Sequence, residues 1–378
     1  MTTRRRNLLL LLATLALAGG GAYLTGSPDR SRDVLDAVPD HTFLLVTLDL
    51  PKLRASPFAA ELASLHEVTD VSQTCGFDPM ARAKMVAIAI PEAENGEFGL
   101  ALTHDLTRDE MSACARNVTA SRGTSFEMRQ DGPYVLLEST SSVEPGPPAQ
   151  IAYRDGAPLL IGRGAWLGSM RAALDGREPR VLSRPAHAAL REVAGANAAT
   201  GARPSIVATA VLPKGLRDRL RKQMAGEADT ERGVETMDAV LAVSEVAVAV
   251  TTGGAEEPVK LFAELRCERA GACETVRAFV DRKRVAFASV PMVKALGFAP
   301  LLDAIQLSAQ GEVLEAHVEL AAGDVSRLLS AVKQAWSSPA APARPVALPP
   351  SSGSAPAPHA DEVLGARDGG GPKTMPRR

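Results

Sequence analysis

The pattern of apolar and polar positions repeats itself along the chain. Val86-Ala87-Ile88-Ala89-Ile90 returns as Val246-Ala247-Val248-Ala249-Val250, and each run is followed by a polar turn and a second apolar strand. A helix with an Ala-Cys pair then follows in both places, Ala113-Cys114 and Ala272-Cys273, and Leu50-Pro51-Lys52 returns as Leu212-Pro213-Lys214. The three landmarks share one displacement of about 160 residues, which points to a tandem duplication.

Period-2 and period-3.6 patterns predict the elements of each copy. In the first, a strand over Phe43–Leu50 leads into a helix from Pro51 to Leu65, then a loop at Cys75-Gly76-Phe77-Asp78-Pro79. Met85–Pro91 and Glu97–His104 form a hairpin across Asn95-Gly96, and Thr107 with Glu110 makes a capping box for the Cys114 helix. Hairpins at Asp131-Gly132 and Asp155-Gly156 precede helices over Trp166–Leu174 and Pro185–Ala194. In the second copy, a strand over Ile206–Leu212 leads into helices over Gly215–Met224 and Gly233–Val243. The hairpin Glu245–Thr251 with Val259–Arg266, a Cys273 helix ending at Arg284, and helical turns over Met292–Ala304 come next. A hairpin at Gln310-Gly311 and a helix over Val325–Trp336 close it. The unit is β-α-β-β-α-β-β-α, and consecutive hairpins imply an α+β fold with helices packed on antiparallel sheet. Expected segments are 1–26, 33–200 (first repeat), 201–336 (second repeat) and 337–378. Whether the repeats share one sheet is left open.

The ends of the chain differ from the body. Arg4-Arg5-Arg6 before the apolar run from Leu8 has the form of a signal peptide, with small residues at Ala16-Leu17-Ala18 for cleavage near Gly19. An uncleaved membrane anchor is the alternative, weakened by Gly19-Gly20-Gly21. From Ser337 the chain is rich in Pro, Ala and Gly; nine of its 27 prolines fall there, and a disordered tail is expected.

Charge narrows the function. The net charge is −2, but residues 29–336 hold 34 basic and 41 acidic residues, so nucleic acid is not an expected partner. Aromatic residues are only 4%, too few for a base- or sugar-stacking groove. Export gives meaning to Cys75, Cys114, Cys267 and Cys273: two fall in each repeat, and the expected disulfides are Cys75–Cys114 and Cys267–Cys273. No His or Cys spacing suits a metal, and no cofactor is expected.

Candidate chemistry is sparse. Gly162-Arg163-Gly164-Ala165-Trp166-Leu167-Gly168 imitates a dinucleotide fingerprint, but its third glycine is one residue late, so a tight strand-to-helix turn is expected. Glu92, Glu94 and Glu97 fall in a turn as solvated acids. The one basic concentration is Lys214, Arg217, Arg219, Arg221 and Lys222, on a helix striped by Leu216, Leu220 and Met224. It is the candidate membrane or partner contact; the simpler reading, which has precedence, is that the stripe faces the core and the cations face water.

Ala37-Val38-Pro39-Asp40 followed by the apolar strand Phe43–Leu50, with its aspartate at Asp49, resembles the opening of exported proteins of unknown function from GC-rich bacteria. The likeness covers this stretch alone, and the second copy has Val211 where the first has Asp49. It implies location and fold, and no activity. The expectation is an exported bacterial protein, periplasmic or anchored in the inner membrane facing the periplasm. It would be a non-enzymatic module binding an envelope protein or ligand. The alternative is a periplasmic hydrolase, or a small-ligand-binding protein using a cleft between the repeats.

Overall fold

In the computed structural model the two halves meet on a single strand pair. The described residues are 33–59, 66–92, 97–121, 126–139, 149–197, 203–224, 237–295 and 297–337. The apolar N-terminal run, the Asn95-Gly96 turn and the Pro-rich tail lie outside them, as do residues 60–65 and 233–236 of two expected helices. Contacts group Met1–Lys333 as one unit and Gln334–Arg378 as a second, of which only the last helical residues are described.

The chain runs from a 3-10 turn (Val34–Ala37) into β1 (Thr42–Asp49), α1 (Leu50–Ala55), α2 (His66–Cys75), α3 (Pro79–Arg82), β2 (Ala83–Pro91), β3 (Gly99–His104) and α4 (Arg108–Ser121). Next come β4 (Phe126–Asp131), β5 (Tyr134–Ser139), β6 (Ala149–Tyr153), β7 (Leu159–Arg163), α5 (Trp166–Leu174) and α6 (Pro185–Ala196). The second half contains β8 (Ile206–Val211), α7 (Lys214–Met224), a helical turn over 237–241, β9 (Val243–Thr251), β10 (Val259–Cys267) and α8 (Ala270–Ser289). It ends with α9 (Pro291–Ala295), α10 (Ala299–Asp303), β11 (Gln306–Gln310), β12 (Val313–Leu320) and α11 (Ala322–Ser337).

All twelve strands among the described residues belong to one antiparallel sheet, in the order β11-β12-β10-β9-β8-β1-β2-β3-β7-β6-β5-β4. The fold is therefore α+β, and both halves share a sheet through β1 and β8, with Leu45 opposite Thr209. Outward from that pair, each side carries a hairpin (β2–β3, β9–β10) and then the later strand of a second hairpin (β7, β12) with its partner (β6, β11). The β4–β5 hairpin extends the first side alone.

The repeated Val-Ala phrase has a packing reason. Strand geometry sends alternate residues to opposite faces. Ala87 and Ala89 of β2 lie with Leu45, Leu160, Trp166 and Leu174 in one core cluster, and Ala247 and Ala249 of β9 lie with Leu190, Val207 and Phe262 in another. Both pairs line the face on which α5 and α6 sit. A methyl side chain there lets a helix approach the sheet closely. The opposite face carries Leu48, Val86, Ile88 and Leu100 beneath α1, and Cys267 and Leu314 beneath Cys273 and Val276 of α8. Gly99 of β3 is held to the same tolerance: a Cβ there would run into Met170 and Trp166 of α5.

Local signals explain the element ends. Asp49 closes β1 and caps α1, its Oδ1 accepting the Lys52 N–H at 3.3 Å. The capping box forms: Thr107 Oγ1 accepts the Glu110 N–H at 3.2 Å, and Glu110 Oε2 accepts the Thr107 N–H at 2.8 Å. Three hairpin turns use glycine at positive φ, Gly132 (58°), Gly156 (68°) and Gly311 (63°). Three expectations need correction. Cys75, expected to open a loop, is instead the last residue of α2, and Gly76 follows it with φ 74°. Val243 begins β9 rather than ending a helix. The Cys273 helix continues past Arg284 to Ser289.

Helix α6 crosses the β8–β1 junction and fastens it with polar contacts. His187 is wholly buried; its Nε2 is 3.0 Å from the Thr42 carbonyl of β1 and its Nδ1 is 2.8 Å from Thr209 Oγ1 of β8. A carbonyl only accepts, so neutral His187 carries its proton on Nε2 and receives the Thr209 hydroxyl at Nδ1. Arg191 donates to Thr47 Oγ1 at 3.1 Å, and Arg184 reaches the Asp40 and Thr42 carbonyls and the Glu92 carboxylate. Burial holds the His187 pKa below its ordinary value, against the opposing pull of the Thr42 carbonyl. The unfolded chain takes up this proton near pH 6.5 while the fold resists it, so stability is full above about pH 6.5 and falls as the pH drops below it. His104, held low chiefly by burial, adds to the same loss. Melting temperatures of wild type and His187→Gln from pH 7.5 to 5 test this. Wild type is expected to lose stability across the range. The variant is expected to show a shallower fall and a loss of about 1–3 kcal/mol at neutral pH from the disturbed buried partners.

Candidate functional site

The two halves of the sheet differ in how they are covered. On the α6 side, the first half is roofed by α5 and the N-terminal 3-10 turn, whose Val34, Leu35, Trp166 and Leu174 are buried against β2, β3 and β7. In the second half α6 covers β8 and β9 and reaches the near edge of β10. Beyond it, an open pocket of about 340 Å³ lies over β9, β10, β12 and the start of β11. Its floor is set by register. Ala249, Phe262 and His317 stand in one cross-strand row, and Thr251, Lys260 and Glu319 in the next. Gln306 sits opposite His317, and Asn197 at the end of α6 and Ala304 after α10 close the sides.

The surface is amphoteric. The Phe262 and His317 rings lie 5.0 Å apart at 51°. Lys260 Nζ is 3.9 Å from Glu319 Oε2, and His317 Nε2 is 3.9 Å from Glu315 Oε2. Farther along the same face Arg266 holds the buried Glu264 at 2.8 Å and Glu245 at 3.4 Å. A ligand here meets the exposed His317 ring, with buried Phe262 beneath it, and cations, carboxylates and amides in rows along the strands. That arrangement suits multipoint hydrogen bonding and ion pairing.

Both expected disulfides form. Cys75 at the end of α2 bonds Cys114 of α4 across 39 residues, and Cys267 at the end of β10 bonds Cys273 of α8 across 6 residues. In the chain-entropy model the two contribute about 4 and about 2 kcal/mol respectively. The first joins helix α2 to helix α4, and the second fastens α8 to β10 on the sheet face opposite the pocket.

The basic helix α7 is mostly built into the fold. Arg217 is buried: it donates to the Leu212 carbonyl at 3.2 Å, the Leu241 carbonyl at 3.3 Å and the Glu268 carboxylate at 2.6 Å. That hydrogen bond holds the Glu268 carboxyl below its ordinary range. Lys214 pairs with Asp218 at 2.6 Å, and Arg221 pairs with Asp218 at 2.8 Å and Asp238 at 3.2 Å. Arg219 and Lys222 are exposed. The five cations of the candidate contact are thus divided: Arg217 is a buried fastener, and carboxylates neutralise two others.

The glycine-rich turn before α5 also has a local role. Glu97 Oε1 accepts the Ala165 N–H at 2.8 Å, so a carboxylate already occupies the helix start that a phosphate would need. Gly164 adopts φ 65° beside that carboxylate, and a Cβ on Gly162 would press on Leu167 at 3.1 Å. Of the turn acids, Glu92 binds Arg184 and Glu94 lies outside the described residues. Among the described residues, no three His, Cys, Asp or Glu side chains are grouped to hold a metal, and no helix is long and apolar enough to cross a membrane.

Fold and surface together define an α+β protein with one half of its sheet roofed and the other carrying an open polar face. No protein-family model and no curated protein matches the chain. Among solved structures, crystal forms I and IV of TP0453 are similar, with TM-scores of 0.43 and 0.45 at 10% and 11% identity. Each match covers 82% of this chain, and 100% and 99% of theirs. Similarity of this degree carries no functional argument.

Arg217 and Lys222 separate fold from surface. Arg217→Ala is expected to cost about 3–5 kcal/mol by leaving buried carbonyls unpaired, whereas Lys222→Ala changes stability by less than about 0.5 kcal/mol. Guanidinium melts of the two variants measure the contrast; equal costs would remove Arg217 from the fold's supports.

Proposed function

We propose that this chain is an exported bacterial envelope protein that works by binding, and that the open face around Phe262 and His317 is where a partner protein or ligand docks. The observation that carries this reading is the asymmetry of the sheet. One half spends Trp166, Leu167, Met170 and Leu174 on a roof, while the corresponding face of β10, β12 and β11 presents Lys260, His317, Glu319 and Gln306 to water. Two disulfides favour an oxidising compartment, and the N-terminal pattern of arginines before an apolar run supplies a route there. The lining groups lie in rows with their charges mutually compensated, which favours recognition over a concentrated reactive centre.

In-cell photocross-linking tests the proposal. His317 is replaced by p-benzoylphenylalanine in the full chain, with the same substitution at Lys222 as a control. The expected result is a discrete adduct in the envelope fraction from position 317 and none from 222. Adducts of equal yield at both positions would overturn the assigned face. A chain that stays in the cytoplasm with reduced thiols would overturn the envelope reading.

A further inference from the structure

Helix α8 carries two kinds of surface. Its first turns bury Ala272, Cys273 and Val276 against the sheet. Beyond Asp281 its side chains turn outward: Val285 is 60% exposed, Phe287 58% and Val290, at its C-cap, 40%. Arg282 and Lys283 are exposed beside them, and Lys294 on α9 adds a third outward cation. Burying a phenylalanine and two valines would ordinarily be worth several kcal/mol, so three such side chains left in water on one projection are unusual.

The projection is held in shape. Arg284, on the inward side of α8, donates to the Leu302 carbonyl of α10 at 3.1 Å and the Asp303 carbonyl at 3.3 Å, and binds Asp281 at 3.2 Å. Gly297 turns the chain between α9 and α10 at φ 74°, and Arg327 of α11 packs against it. The apolar side chains are therefore displayed from an anchored helix end.

Charge selects the occupant. Between Asp281 and Asp303 the sequence contains four basic residues and no acidic one, and with Arg284 bound inward three of them, Arg282, Lys283 and Lys294, face water. At this exposed end Lys283, Phe287 and Val290 share one side of the helix at i, i+4 and i+7, Arg282 lies beside them, and Val285 is turned away from that side. This is the composition of a helix lying in a membrane interface, where apolar groups enter the acyl boundary and cations meet lipid phosphates. We infer that the α8–α10 projection docks on an anionic lipid bilayer, inserting Phe287 and Val290 and pairing Arg282, Lys283 and Lys294 with phosphate groups. The inference rests on the envelope location proposed above and moves the membrane contact from α7, whose cations are largely neutralised, to α8.

A local probe keeps this contact distinct from any tethering by the N-terminal segment. Phe287→Trp is made in the full chain and its emission followed on adding vesicles, with the wild-type response subtracted. Vesicles are an equimolar phosphatidylglycerol–phosphatidylcholine mixture or phosphatidylcholine alone, with and without brominated chains. The mixed vesicles are expected to shift the emission to the blue and the brominated chains to quench it, with little response to phosphatidylcholine alone. Adding Arg282→Glu and Lys283→Glu should weaken the response by roughly 25-fold or more. Circular dichroism melts confirm that each variant folds. An unshifted, unquenched emission with the mixed vesicles overturns the inference, including where the chain is tethered to them, and leaves the envelope reading standing. An equal response to phosphatidylcholine alone overturns the anionic pairing. A soluble partner that shifts the emission where lipid does not overturns it in favour of a protein contact.

Discussion

The structure depends on one buried hydrogen-bonded junction, His187 of α6 bridging Thr42 of β1 and Thr209 of β8. Strands β1 and β8 are far apart in sequence, so the chain must close a long loop before their pairing repays the entropy. Once paired, they become the centre of a sheet that extends outward in both directions through local hairpins. The polar bridge adds what apolar packing cannot, a fixed register. A one-residue slip of β8 would take Thr209 from His187 and turn Val207 to the opposite face. Arg184, the N-cap of α6, and Arg191 within it bind the β1 side of the same junction, so one helix and its cap secure both halves.

Much of this was legible in the chain, wherever the signal was local. Asp131-Gly132, Asp155-Gly156 and Gln310-Gly311 mark turns because each glycine adopts positive φ. Pairing cysteines by position along the chain gave the observed disulfides, since each bond closes within one half. The failures have physical causes. His187 has no spacing signature, because its partners come from two strands whose adjacency the sequence does not announce. Arg282-Lys283-Arg284 resembles the basic last turn of a helix, and so hid the projecting end of α8. Arg217 looked like a surface cation, but its guanidinium fits between the Leu212 and Leu241 carbonyls, a tertiary arrangement that a helical pattern does not reveal.

One signal was present and finer than a strand assignment. Strands β2 and β7 are apolar on both faces, Val86-Ala87-Ile88-Ala89-Ile90 and Leu159-Leu160-Ile161, as strands covered on both sides must be. Strand β12 alternates, Glu315, His317 and Glu319 against Leu314, Ala316 and Val318, and β10 does so except at Phe262, with Lys260, Glu264 and Arg266 against Leu261, Ala263 and Leu265. That contrast locates the open polar face. The disulfide-fastened helix α8 lies across the opposite face of those strands, so the proposed partner surface and membrane-docking helix end belong to the same half of the molecule.

Hydrogen exchange across a guanidinium titration, resolved by mass spectrometry into β2 and β9 peptides, tests the central claim that one junction makes two halves a single folding unit. The account predicts that both strands lose protection at one shared midpoint, and that His187→Gln lowers the two together. Separate midpoints, or a variant that lowers only one strand, would show two independently stable halves in contact and contradict it.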